Sequence, residues 1–175
     1  MKKYLVIGNP IEHSLSPKLH NYWFEKNNID ANYDRKKIDK SEIQKIISEI
    51  REDKLDGINV TVPFKSDVIP FLDTLSKESQ ITQSVNTIYK QDKKLIGHNT
   101  DIKGFELSLK ETQFNLENKT IFILGAGGVV PSIIYALEKL GTSKIIVSNR
   151  TKQKTENLKK YFSNISVVDW GDQPE

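Results

Sequence analysis

The stretch Thr120-Ile121-Phe122-Ile123-Leu124-Gly125-Ala126-Gly127-Gly128 decides the fold. A run of β-branched and aromatic residues reads as a strand, and a glycine-rich turn follows it directly. Beyond the turn the apolar spacing becomes helical through Leu140, and a second apolar strand follows at residues 144–148. Strand, glycine turn, helix and strand form the unit with which a Rossmann fold brings backbone N–H groups against a pyrophosphate. Gly125 permits the tight turn and Gly127 the close approach of a phosphate, with Ala126 and Gly128 completing the loop. The third position of the pattern falls on Val130, where glycine or alanine usually allows close helix–strand packing. Pro131 fits only the first turn of the helix, because it has no N–H to donate.

The end of the second strand selects the dinucleotide. An acidic residue there suits the ribose 2′-hydroxyl of NAD, and an arginine suits a 2′-phosphate. Here the residues are Asn149-Arg150-Thr151, with Lys154 a helical turn on. Arg150 offers a planar fork for phosphate and Lys154 a point charge, which points to NADP.

Outward from this unit, short β-branched runs alternate with amphipathic stretches, so the fold class is α/β. Residues 3–8 read as a strand, and Ser16-Pro17 as an N-cap with proline at the first helical position. The helix that follows carries Leu19, Tyr22 and Trp23 on one face. Residues 32–38 form a weaker strand. Ser41-Glu42-Ile43-Gln44 fits a capping box before a helix with Ile43, Ile46, Ile47 and Ile50 on its apolar side. Residues 57–62 read as a buried strand stopped by Pro63, followed by a helical segment through Val68 and Leu72 and two short strands at 84–89 and 93–97. A third strand of the glycine-loop unit is expected at residues 165–168, after one more helix. The polar stretch 115–119 marks a boundary between a domain at 1–114 and the dinucleotide half at 115–175.

Composition excludes several function classes. The 175 residues include 37% hydrophobic and 28% charged, the balance of a globular protein. A net charge of +3, from 26 basic and 23 acidic residues spread along the chain, argues against nucleic-acid binding. With no cysteine, disulfides and thiolate metal ligands are excluded. Nothing approaches a membrane span, which makes a cytoplasmic protein the expectation.

Three polar clusters fall at the ends of the predicted strands, where open α/β sheets gather ligands. They are Gly8-Asn9-Pro10 leading to His13-Ser14-Leu15-Ser16-Pro17; Asn59-Val60-Thr61-Val62-Pro63-Phe64-Lys65; and Asn86-Thr87 with Gly97-His98-Asn99-Thr100-Asp101. Taken singly, most are ordinary turn and cap residues. Taken in order, with His20-Asn21, Gly104, the glycine loop and Asn149-Arg150-Thr151, they resemble the shikimate dehydrogenase family over essentially the whole chain.

That resemblance implies reduction of 3-dehydroshikimate to shikimate with NADPH, in aromatic amino acid biosynthesis, by a monomer or homodimer. Ser14 and Ser16 would bind the substrate carboxylate, and Asn59, Thr61 and Asn86 the ring hydroxyls. Lys65 and Asp101 would be the catalytic pair. The family's second dinucleotide half and C-terminal helix have no counterpart in these residues, so a fragment with an uncovered sheet edge is expected. A binding protein without redox chemistry and a quinate-using relative are the alternatives. His13 and His20 match family motifs and are read as packing or turn residues.

Overall fold

The computed structural model describes residues 1–172; Gln173, Pro174 and Glu175 lie outside the described residues. The chain divides into two compact units, Met1–Asn99 and Thr100 onward.

The first unit runs β1 (Lys2–Gly8), α1 (Ser16–Lys26), β2 (Ala31–Lys37), α2 (Ile43–Arg51), β3 (Gly57–Val60), β4 (Thr74–Leu75), α3 (Lys77–Thr82), β5 (Thr87–Gln91) and β6 (Lys94–His98). Its sheet has the order β2-β1-β3-β5-β6-β4. β1 pairs in parallel with β2 and β3, and β5 runs antiparallel to both β3 and β6. Successive side chains of β1 point to opposite faces. Leu5 and Ile7 join the cluster built on Ile43, Ile46, Ile47 and Ile50 of α2. Tyr4 and Val6 join the smaller cluster with Phe24 of α1 and Tyr33 of β2. Burying each such isoleucine contributes roughly 1.5–3 kcal/mol, which makes β1 the middle layer of the unit.

Several local expectations shift. Ser16 is the first helical residue rather than the cap, and the Ser14 hydroxyl accepts its N–H at 3.3 Å. The capping interaction expected from Ser41 sits two residues earlier, where the Glu42 carboxylate takes the Asp39 N–H at 2.8 Å. A short 3₁₀ turn at Lys40–Glu42 precedes α2 and moves the start of the helical path. The helix expected through Val68 and Leu72 is a single 3₁₀ turn, Ile69–Phe71, since Pro70 cannot extend it. α3, which the apolar pattern does not announce, is capped by the Ser76 hydroxyl accepting from Ser79 N–H at 3.2 Å. The apolar face of α1 is outward: Leu19 is 55% exposed, and Tyr22 and Trp23 are exposed beside it.

The second unit runs α4 (Asp101–Glu111), β7 (Thr120–Leu124), α5 (Val130–Lys139), β8 (Lys144–Ser148), α6 (Lys152–Leu158) and β9 (Ile165–Val168). Its strands are all parallel in the order β7-β8-β9, the 3-2-1 arrangement of one Rossmann half. Pro131 sits in the first turn of α5, as its missing N–H requires. α4 packs against α5, with Phe105 and Leu109 covering Leu116, Ile134 and Leu137. The buried Glu106 of α4 meets Lys139 of α5 at 2.6 Å. The structural division therefore precedes α4, whereas the polar stretch 115–119 follows it. β7 pairs only with β8 among the described residues, and its outer face is open, with Leu124 68% exposed.

Candidate active site

The carboxyl ends of β1 and β3 meet the N-terminus of α1 around a cavity of about 280 Å³. Val6, Pro10, Ile11, His13, Ser14, Ser16 and Thr61 line it. Three of the residues expected to bind substrate, Ser14, Ser16 and Thr61, are thereby gathered from segments 45 positions apart, Ser16 to Thr61. The close fit of β1 against the Thr61 turn requires glycine at position 8. A Cβ there would stand 2.6 Å from the Thr61 methyl and 3.0 Å from the Val62 carbonyl. The N-terminus of α1 adds its dipole to the two serine hydroxyls, so this end of the cavity favours an anion. His13, expected as a turn residue, is exposed and on the cavity wall.

Lys65 follows the turn closed by Phe64 N–H to Thr61 C=O at 3.0 Å. Phe64 is anchored in the main core, and the Lys65 carbonyl accepts the Val85 N–H at 2.8 Å. The lysine is 8% exposed. Buried lysines are rare, which makes Lys65 a functional candidate. Asp101 opens α4, in the second unit.

Asn59 and Asn86 form a single hydrogen-bonded cluster with two residues that sequence reasoning did not assign. Asn59 Nδ2 donates to the Asn86 carbonyl at 3.1 Å and to the Thr87 hydroxyl at 3.0 Å. Thr87 in turn donates to Asn86 Oδ1 at 3.0 Å. The Tyr33 hydroxyl donates to Asn59 Oδ1 at 2.6 Å. Tyr33 had no signal in the sequence, because its meeting with Asn59 depends on β2 and β3 flanking β1. Burial pushes its phenol well above the ordinary tyrosine range, opposed by a hydrogen bond from Ser16. His20 stacks on the Tyr33 ring at 4.2 Å and is held toward its neutral form by burial, a packing role.

In the second unit the glycine loop stands between β7 and α5. Gly125 has φ +113°, a conformation L side chains rarely adopt. Gly127 and Gly128 are exposed, and a Cβ on either would meet nothing within 4 Å. Gly125 N–H is committed to the Ser148 carbonyl at 2.7 Å, and Ala126 N–H to Asn149 Oδ1 at 3.1 Å. Asn149 Nδ2 donates to the Thr151 carbonyl at 2.9 Å, so Asn149 ties the loop to the end of β8. Val130 is buried among Ile134, Ile145 and Val147, which shows how the larger side chain is accommodated. Arg150 and Lys154 are exposed and make no ion pair among the described residues, whereas Lys152 meets Asp169 at 2.7 Å. The loop and its two cations suit a phosphorylated dinucleotide: open space over glycines, and unpaired positive charge beyond β8.

A sheet unit with an anion-favouring cavity, followed by a Rossmann half with a glycine loop, defines a dinucleotide-fold protein with a separate ligand-binding unit. The family model described as shikimate dehydrogenase substrate binding domain matches residues 6–88, and that described as shikimate / quinate 5-dehydrogenase matches residues 106–172. The chain belongs to the shikimate dehydrogenase family. It is 58% identical over 171 residues to the NADP(+) shikimate dehydrogenase of Pelagibacter ubique, covering 98% of this chain and 64% of that protein. Among solved structures, shikimate dehydrogenase from Aquifex aeolicus superposes with a TM-score of 0.89 at 39% identity, covering 96% of this chain and 62% of the other. The Thermus thermophilus enzyme, solved with NADP(H) and shikimate, gives 0.85 at 32% identity, covering 96% and 63%. The chain thus spans somewhat less than two thirds of the length of these relatives.

Proposed function

We propose that this protein carries out the shikimate dehydrogenase reaction, interconverting 3-dehydroshikimate and shikimate with NADP(H) in aromatic amino acid biosynthesis. The observation that carries this reading is the cavity where Ser14, Ser16 and Thr61 meet the N-terminus of α1, with the buried Lys65 four residues beyond Thr61. A small hydroxylated ring acid matches that lining: a carboxylate for the serine end and a ring hydroxyl for Thr61.

In this reading Ser14 and Ser16 hold the carboxylate by charge-assisted hydrogen bonds, helped by the α1 dipole. Asn59, Thr61 and Asn86 orient the ring hydroxyls. The Lys65 ammonium stabilises negative charge developing on the carbonyl oxygen and supplies its proton. Asp101, the first residue of α4, is proposed as the second member of the catalytic pair. The bound dinucleotide supplies the hydride. Gly127 and Gly128 leave room for its pyrophosphate, and Arg150 with Lys154 meets a 2′-phosphate. Asn149, Thr151 and Ala126 keep the loop in shape, as the Asn149 hydrogen bonds indicate. Both ligands are small and water-soluble, consistent with a cytoplasmic monomer or homodimer acting on neither membrane nor nucleic acid.

The test is the rise in absorbance at 340 nm on mixing the full-length protein with shikimate and NADP, then with NAD. Shikimate-dependent reduction of NADP, much slower with NAD, is expected. No reduction of either dinucleotide at millimolar shikimate would overturn the reading.

A further inference from the structure

The Asn59 amide has a fixed orientation, set by its partners. Both of its N–H groups are committed, one to the Asn86 carbonyl and one to the Thr87 hydroxyl. Its Oδ1 accepts from Tyr33 at 2.6 Å. An amide oxygen has two acceptor sites, so one remains on Oδ1 after Tyr33 has taken the other. A flipped amide would set Oδ1 against the Asn86 carbonyl, two acceptors facing each other, and lose the bond to that carbonyl.

We propose that Tyr33 is a positioning residue: its buried hydroxyl locks the Asn59 amide so that Asn59 meets a ligand hydroxyl as a hydrogen-bond acceptor. Tyr33 is itself held on several sides. Its ring is 4% exposed and stacked on His20. Its backbone N–H donates to Asn21 Oδ1 at 2.9 Å, and its carbonyl accepts from Asn21 Nδ2 at 2.8 Å. Its hydroxyl has Asn59 Oδ1 as its hydrogen-bond acceptor. A tyrosine phenol is protonated, and so a donor, across the physiological range. The consequence for specificity is directional. A ring substituent that donates a hydrogen bond is accepted at Asn59, and an isosteric ether or ketone at that position is refused.

This inference rests on the proposed function only for the identity of the ligand, and its test separates the two. In the unmutated protein, proton NMR is expected to resolve a slowly exchanging Tyr33 hydroxyl signal with a cross-peak to the Asn59 side-chain amide. Its absence overturns the proposal, whether or not shikimate binds. In Tyr33→Phe, which keeps the ring and the stack, the Asn59 amide protons should exchange at least about fivefold faster. An unchanged amide pair in the folded variant also overturns it. Shikimate affinity is then measured in a double-mutant cycle with Asn59→Ala. Tyr33→Phe is expected to weaken binding about tenfold alone and less than about twofold in the Asn59→Ala background. Equal weakening in both backgrounds would show that Tyr33 does not act through Asn59. If the unmutated protein binds no shikimate while the amide responds as described, the ligand is wrong and the positioning role stands.

Discussion

Asn149 holds the Ala126 N–H with its side-chain carbonyl at 3.1 Å, joining the residue after β8 to the loop after β7. The contact removes one loop N–H from the set that could face a pyrophosphate and fixes the path of the rest. Asn149→Ala removes this bond and the one to the Thr151 carbonyl, and should cost about 1–3 kcal/mol of stability. It should weaken NADP binding by about tenfold, because the loop must then be ordered by the ligand. Thermal unfolding and fluorescence titration, run on both proteins, check the two effects separately.

Arg150 and Lys154 stand exposed without acidic partners among the described residues. Arg150→Ala should weaken NADP binding about tenfold or more and leave NAD binding within about twofold, since only NADP carries the 2′-phosphate. The NADP preference should also shrink with added salt. Equal losses for both dinucleotides would place Arg150 elsewhere on the ligand.

Lys65 is the only buried lysine among the described residues, held between the Phe64 anchor and the Val85 N–H. Lys65→Ala should lower turnover by at least about a hundredfold, in the range typical of a proton-transfer group. Shikimate affinity should change far less. Near-normal turnover in the variant would remove Lys65 from the chemistry.

The parts of this fold that were legible in the sequence are those set by neighbours along the chain. The strand–glycine–helix unit from Thr120 to Lys139 could be read directly, because period, turn and proline position agree. The isoleucines of α2 showed their apolar face for the same reason. What was not legible depends on strands brought together from afar. Tyr33 reaches Asn59 only because β2 and β3 flank β1, a pairing no local pattern announces. The Ser76 cap of α3 was readable in principle but hidden in a polar run. The face of α1 with Leu19, Tyr22 and Trp23 has the spacing of a core face and is exposed, since Phe24 and His20 make its contacts to the sheet unit.

Asp73 provides a pH signature independent of the ligand. Two hydrogen bonds from Arg51, at 2.8 and 3.0 Å, and one from the Leu95 N–H at 2.7 Å hold its carboxyl down to about 2, from an ordinary 3.8. A carboxylate with a folded pKa below its unfolded value contributes stability above the unfolded value and loses it as pH falls through the folded one. Asp73→Asn should therefore lower the melting temperature at pH 6. The gap to the unmutated protein should narrow between about pH 4 and pH 2. A gap that is constant over that range would mean the ion pair contributes nothing.

Shikimate is expected to enter the cavity at the ends of β1 and β3. The most direct test is a calorimetric titration of shikimate into the protein, repeated with Ser14→Ala and Thr61→Val, two residues of the cavity wall. Saturable one-to-one binding, weakened about tenfold or more by each substitution, is the predicted result. Binding that ignores both substitutions, or no binding at millimolar shikimate, would contradict it.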